Sequence, residues 1–238
     1  MQQSCIAPRV EVVYQNDAFA IVNKSAGICM HYSDGENNLQ HHLAQVGIES
    51  FFLVHRLDTD TSGLMVIGKN KTVTAELNKL FSKRYVQKFY LAISDKKPQK
   101  KQGHIIGDLR KVRRGNYKLQ NSQENPAYTQ FFSYSIALSE ARARLFVLKP
   151  YTGKTHQLRV SLAAIGAPIL GDRRYGKRPA DRMYLHAAQL SFVWRNQPYS
   201  FSALTPVGEH FQAPDVHRIL TEIGPFGDLP WPRSQLAQ

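Results

Sequence analysis

The sequence predicts an α+β protein built on a long mixed, mostly antiparallel sheet in two lobes with a central cleft, flanked by a few helices. Short alternating or continuous apolar runs bounded by Gly, Asn and Asp outnumber the helical periodicities. Strand and helix patterns do not follow one another as βαβα, which argues against a doubly wound parallel sheet. The runs are too many for one small sheet, and 238 residues suffice for a sizeable core. No repeat and no linker composition interrupts the chain. One domain over 1–238 is therefore expected, with a core of about 10–205 and a loosely held Pro-rich tail of about 222–238.

In chain order, VEVVYQNDAFAIVNKSAG (10–27) reads as two short strands around an Asn16-Asp17 turn, closed by a Ser-Ala-Gly loop. NNLQHHLAQVG (37–47) carries apolar residues at 39, 43 and 46 and stops at Gly47, so it reads as a short helix. FFLVHRL (51–57) and LMVIG (64–68) read as strands either side of a loop holding Asp58. NKTVTAELNKLFSK (70–83) places Val73, Leu77, Leu80 and Phe81 on one helical face. VQKFYLAIS (86–94) has the beat of a strand.

From Lys96 to Asn125 the pattern dissolves into Lys, Arg and Gly, a basic insert with no regular element assigned. AYTQFFSYSIAL (127–138) and ARARLFVLKP (141–150) form a hairpin pattern, and TGKTHQLRVSLAAIG (152–166) is a turn followed by a helix ended by Gly166. RMYLHAAQLSFVW (182–194) returns as a strand.

Composition narrows the function. Thirty-one Lys and Arg against eighteen Asp and Glu give a formal charge of +13, which fits a polyanionic partner whose counterions are released on binding. With 42% apolar and 21% charged residues the chain is not a disordered one. Two cysteines, Cys5 and Cys29, make neither a disulfide framework nor a zinc set, so a reducing compartment is expected. The start MQQSCIAPRVEVV lacks the basic and apolar regions of a secretory signal, and no apolar run approaches the ~20 residues of a membrane span. A soluble, cytoplasmic protein with no membrane partner is the expectation.

The stretch VHRLDTDTSGLMVIGKN (54–70) concentrates the chemistry-bearing residues. Gly63 to Lys69 has the spacing of a phosphate-binding loop, but Asn70 stands where a Ser or Thr would hold magnesium, and the intervening Leu-Met-Val-Ile belongs in a sheet. The histidines His41, His42, His55 and His156 show no metal-binding spacing, so no metal is expected. Asp58 by itself reads first as a turn residue capping its own backbone, with a functional carboxylate as the alternative. Asp60, Thr61 and Ser62 read as turn residues.

HRLDTDTSGLMVIGK resembles the HRLDxxTSGLLLLAK signature of the RluA-type family of RNA pseudouridine synthases. The segments VVYQNDAFAIVNKSAGICMH, QKFYLAIS, YTGKTHQLRVSLAAIGAPILGDRRYG and RMYLHAAQLSF resemble the family's other blocks in the same order, over about 10–205. Ser25, Gly68, Lys154 and Ser161 depart from the usual Pro, Ala, Arg and His. The small N-terminal RNA-binding domain of many relatives has no counterpart, since the pattern begins by residue 10.

The resemblance implies the pseudouridine synthase catalytic fold, a pseudouridine-forming isomerase with no cofactor, and three catalytic residues. Asp58 acts on the ribose, Arg159 serves as its counter-ion, and Tyr90 stacks on the target base. Arg56 fills the gap left by a flipped nucleotide. Arg110, Lys111, Arg113 and Arg114 in the basic insert, with Lys154, Arg173 and Arg174 opposite, hold the RNA.

This chemistry suits one carboxylate. The glycosidic C–N bond breaks, the base turns in place, and a bond to its carbon 5 forms, so no water is consumed. Hydrolysis would call for paired carboxylates. A flipped base loses a few kcal/mol of stacking. An aromatic ring returns about 1–3 kcal/mol of it. The implied partner is an RNA stem-loop in tRNA or ribosomal RNA, met by a monomer. Two other readings stay open at this point: a non-catalytic RNA-binding or chaperone protein on the same fold, and a glycosidase that releases free uracil.

Overall fold

The structure, a computed structural model, describes residues 9–30, 37–138 and 141–233. Cys5 and the last five residues of the Pro-rich tail lie outside the described residues. Among those described, eleven strands form one mostly antiparallel sheet and four α-helices accompany it. The strands are β1 (Val10–Gln15), β2 (Phe19–Lys24), β3 (Phe52–Leu53), β4 (Ser62–Gly68), β5 (Gln87–Ser94), β6 (Gln102–Lys111), β7 (Tyr117–Gln120), β8 (Ala127–Ala137), β9 (Arg142–Pro150), β10 (Leu185–Trp194) and β11 (Gln197–Ser202). The helices are α1 (Leu39–Gln45), α2 (Lys71–Ser82), α3 (Gln157–Ala164) and α4 (Pro214–Ile223). The sheet order is β1-β2-β4-β10-β5-β9-β8-β6-β7, with β3 on β4 and β11 on β10. No helix among the described residues is long and apolar enough to cross a membrane.

The chain divides into two compact units, Met1–Val86 with Leu190–Ala203, and Gln87–Gln189 with Leu204–Gln238. In the first, the Asn16 turn closes β1 on β2 because the Asn16 side-chain oxygen accepts the amides of Ala18 and Phe19, at 2.9 and 2.8 Å. Helix α2 starts where Asn70 caps the amide of Val73 at 2.9 Å. It buries Val73 and Leu77 with Phe19, Ile21, Leu64, Val66, Phe192 and Trp194. Gly68, at the end of β4, has a packing cause: a methyl group there would lie 2.0 Å from the Thr74 hydroxyl, which itself bonds the Asn70 carbonyl at 2.7 Å.

In the second unit, β8 and β9 form the predicted hairpin and β5 pairs with β9. Two departures from the sequence reading occur here. The basic insert holds a hairpin, β6 with β7, whose side chains are mostly exposed or half-buried, so its polar composition hides the strand period. The Pro-rich tail is not loose as far as Arg233: Trp231 packs on Phe132 and Phe89 at ring distances of 4.8 and 5.8 Å. The Trp231 indole N–H donates to the Phe226 carbonyl at 2.7 Å, and the Lys149 ammonium sits 5.4–5.6 Å from the rings of Phe89, Tyr151 and Trp231.

Replacing Gly68 by Ala is expected to cost about 1–3 kcal/mol, as overpacking does. Removing the obstructing hydroxyl as well, in Gly68→Ala with Thr74→Ala, should recover part of that stability. Urea unfolding of the single and double variants measures both.

Candidate active site

The first unit contributes a pinned loop. Strand β3 ends at Leu53, earlier than the predicted 57, because His55 turns to another task. Its Nε2 accepts the Val66 amide of β4 at 3.0 Å, which places the ring proton on Nδ1, and the ring stacks on Phe81 at 4.5 Å. Arg56 is exposed and Asp58 half-buried. The Asp58 carbonyl accepts the Thr61 amide at 3.0 Å, so Asp58 opens a tight turn.

That turn is bolted down from inside by Lys24, whose side chain is wholly buried. Its ammonium donates to the carbonyls of Ser25 at 3.0 Å, Ile28 at 3.3 Å and Thr59 at 3.0 Å. The Gly27 amide donates to the same Thr59 carbonyl at 2.8 Å. A buried ammonium is tolerated when its N–H groups are matched in this way. Gly27 reaches its position with φ 91°, which favours glycine. The Ser25 amide donates to the Arg9 carbonyl at 3.0 Å, a bond that a proline at this position would lack.

The second unit contributes Tyr90 and Arg159. Tyr90 is half-buried on β5, opposite Leu148 of β9. Lys88, two residues earlier on the same face, has its ammonium 3.9 Å from where a methyl on Gly153 would lie. Burial pushes this lysine down to about 8.

Arg159 lies in α3 with only 5% of its surface exposed. The partner that grips it is not among the residues the sequence singles out. Asp172, with no side-chain exposure, takes Nε on Oδ2 and Nη2 on Oδ1, both at 2.8 Å, a bidentate pair. Asp172 Oδ1 also accepts the amides of Arg174 and Tyr175 at 2.8 and 3.1 Å. Burial pushes the Asp172 carboxyl up. The Arg159 bonds and charge, with the two amides, outweigh burial and hold it below the usual range. The Tyr175 ring lies under the guanidinium at 5.2 Å.

The loop leading into α3 is set by Gln157. Its oxygen accepts the Thr152 hydroxyl and the Lys154 amide at 2.7 and 3.0 Å, and its nitrogen donates to the Tyr128 carbonyl and Thr129 hydroxyl at 3.1 and 3.0 Å. His156 caps the helix in a left-handed conformation, φ 56°, which costs on the order of 1–3 kcal/mol and is found where surroundings over-determine it. The departures Lys154 and Ser161 fall here. Lys154 donates through Nζ to the Asn125 carbonyl. The Ser161 hydroxyl is buried without a hydrogen-bond partner among the described residues.

The cationic residues are on the surface. Arg110, Lys111, Arg113 and Arg114 lie at and beside the β6–β7 tip, and all are exposed, as are Arg173 and Arg174. Lys154 is half-buried. Arg174 Nη1 does not point away from that tip. It donates to the Arg114 carbonyl at 3.1 Å and the Asn116 side-chain oxygen at 3.2 Å, tying the two basic segments together.

Asp172→Asn removes the carboxylate half of this buried bidentate pair and is expected to cost about 3–5 kcal/mol near neutral pH. Because the folded carboxyl is held low, the stabilisation is present above the unfolded value of about 3.9 and lost as pH falls through the folded one. The parent and the variant should therefore converge only below about pH 4 in urea titrations run across pH.

Residues 18–164 match the family described as RNA pseudouridylate synthase. An uncharacterized RNA pseudouridine synthase from Haemophilus influenzae is 48% identical over 210 residues, 87% of this chain and 92% of that protein. The dual-specificity RNA pseudouridine synthase RluA from Vibrio vulnificus is 30% identical over 94% of this chain and 92% of its own length. Ribosomal large subunit pseudouridine synthase C from Rickettsia bellii is 33% identical over 74% of this chain and 61% of its own. The solved structure of human RNA pseudouridylate synthase domain containing 1 superposes with a TM-score of 0.72 at 27% identity, covering 91% of this chain and 96% of that one. With a buried Arg159 clamp, a pinned Asp58 turn and these matches, the chain belongs to the RluA family of RNA pseudouridine synthases, isomerases of uridine in RNA.

Proposed function

We propose that the chain, acting as one catalytic domain, isomerises specific uridines in stem-loops of tRNA, ribosomal RNA or both. Asp58 performs the sugar chemistry, Arg159 is its counter-ion, and Tyr90 stacks on the base. The observation that supports this reading is the placement of Asp58 on a turn held rigid by a buried lysine, which keeps a carboxylate aimed without help from solvent. The Asp58 carboxylate either attacks the anomeric carbon, forming an ester bond, or takes the neighbouring ribose proton. In each route the C–N bond electrons leave with the base, the base rotates, and its carbon 5 bonds to the anomeric carbon as the ester bond breaks or as the ribose proton is returned to its carbon. Carbon 5 then loses its proton and the freed ring nitrogen gains one, so the net change is an isomerisation.

Arg159 suits the counter-ion role because Asp172 and the Tyr175 ring fix its plane. Arg56, exposed beside Asp58, fills the place of the flipped nucleotide. Arg110, Lys111, Arg113 and Arg114 meet phosphates together with Lys154, Arg173 and Arg174, Arg174 being joined to the same tip rather than facing it. The enzyme is proposed to act as a cytoplasmic monomer without a cofactor; light scattering of the purified protein checks the monomer.

Asp58→Asn is expected to lower pseudouridine formation on unmodified RNA by more than about 10³-fold, as removal of a reacting group does. Carbodiimide-resistant adducts on uridine read the product, and parental yield from the variant would refute the assignment. Replacing Arg110, Arg113 and Arg114 by Ala should lower the slope of log affinity against log salt by about 0.9 for each duplex phosphate that is no longer neutralised. An unchanged slope would remove those residues from the interface.

A further inference from the structure

Tyr175 stands where three elements of the second unit meet. Its amide donates to Asp172, at 3.1 Å, and its ring carries the Arg159 guanidinium at 5.2 Å. Its hydroxyl accepts the amide of Tyr117, the first residue of β7, at 2.9 Å. The same oxygen lies 2.9 Å from His156 Nδ1. The His156 ring stands edge-on to both Tyr117 and Tyr175, each at 5.7 Å.

Tyr117 leads out of the exposed tip that carries Arg113 and Arg114. Strand β7 has four residues and closes the sheet order at its edge, so little ladder bonding restrains the tip. Arg174, the neighbour of Tyr175 in sequence, reaches the same tip through the Arg114 carbonyl and Asn116. One tyrosine thus touches the arginine of the reaction centre with its face and the base of the basic hairpin with its hydroxyl.

We infer that Tyr175 is a positioning residue with two separable parts: the ring sets the plane of Arg159, and the hydroxyl sets the hairpin, so that phosphates gripped at the tip are held in fixed register with the arginine. The inference rests on the roles given above to Arg159 and to the hairpin arginines. The two parts predict different kinetic signatures. Loss of the hydroxyl alone acts on RNA capture, because the hairpin drifts while the guanidinium keeps its support. Loss of the ring acts also on the bound reaction, because the guanidinium is freed to leave its plane.

The test compares Tyr175→Phe and Tyr175→Leu in single-turnover assays on an unmodified stem-loop transcript that the parent modifies, with melting curves for each protein. Tyr175→Phe is expected to raise the RNA concentration for half-maximal rate about 3- to 10-fold, the scale of removing one or two hydrogen bonds, with the saturating rate within about threefold of the parent. That shift should vanish in an Arg113→Ala, Arg114→Ala background, as coupled sites require. Tyr175→Leu should in addition lower the saturating rate at least about tenfold, the cost of a misplaced reacting group.

A parental half-maximal concentration in Tyr175→Phe overturns the hydroxyl's role, and so does a shift that persists undiminished without the hairpin arginines. Equal saturating rates for Phe and Leu variants overturn the ring's role. If the Leu variant melts below the assay temperature, Tyr175→Trp, which keeps an aromatic face and lacks the hydroxyl, replaces it: a saturating rate below about a tenth of that of Tyr175→Phe overturns the ring's role, since a face is retained. Asp58→Asn serves as the separate control. Activity in that protein would sink the assignment of the reaction, while the coupling between Tyr175 and Arg113 with Arg114 would still be decided by RNA binding alone.

Discussion

A guanidinium and a carboxylate buried side by side, Arg159 on Asp172, form the pairing on which the second unit is organised. Both charges are withdrawn from water, so the pair is tolerable only because every part of it is matched: two parallel N–H bonds between the partners, two backbone amides on the carboxylate and an aromatic face under the arginine. The consequence is directional. A lysine could supply the charge, but a planar fork locked to a carboxylate holds its remaining face in one orientation. What the fold contributes around this pair is rigidity: Gln157 satisfies four groups of the entering loop, and His156 is kept in a left-handed backbone state at the start of α3.

The first unit uses the same logic with a different charge. Lys24 is enclosed by carbonyls, and its worth lies in joining the Ser25–Ile28 segment to the turn that begins at Asp58. In each unit a buried cation is turned away from solvent and joins separate segments of the chain. The cations at the β6–β7 tip, by contrast, are exposed and belong to the surface share of the +13 charge of the chain.

Much of this is legible in the chain itself. The Asn16 turn, the α2 face, the β8–β9 hairpin and the Gly166 stop follow from local period and turn chemistry. The HRLD motif marks the turn that opens at Asp58. What stays hidden depends on distance along the chain. Asp172 is thirteen residues from Arg159, a separation that neither helix nor strand period encodes. Lys24 looks like the polar end of a strand, because burial of an ammonium is decided by carbonyls brought in from residue 59. The β6–β7 hairpin escapes because most of its side chains are exposed or half-buried, so few apolar residues mark the strand period. The tail escapes because its Pro-rich composition conceals one anchoring indole, Trp231.

The claim most in need of trial is that the orientation of the Arg159 guanidinium, and not its charge alone, is what the reaction requires. Arg159→Lys isolates that variable. Measured under single turnover with saturating RNA, its rate should fall by more than about 100-fold while RNA affinity stays within a few-fold of the parent. A lysine enzyme that forms pseudouridine at the parental rate would contradict the account.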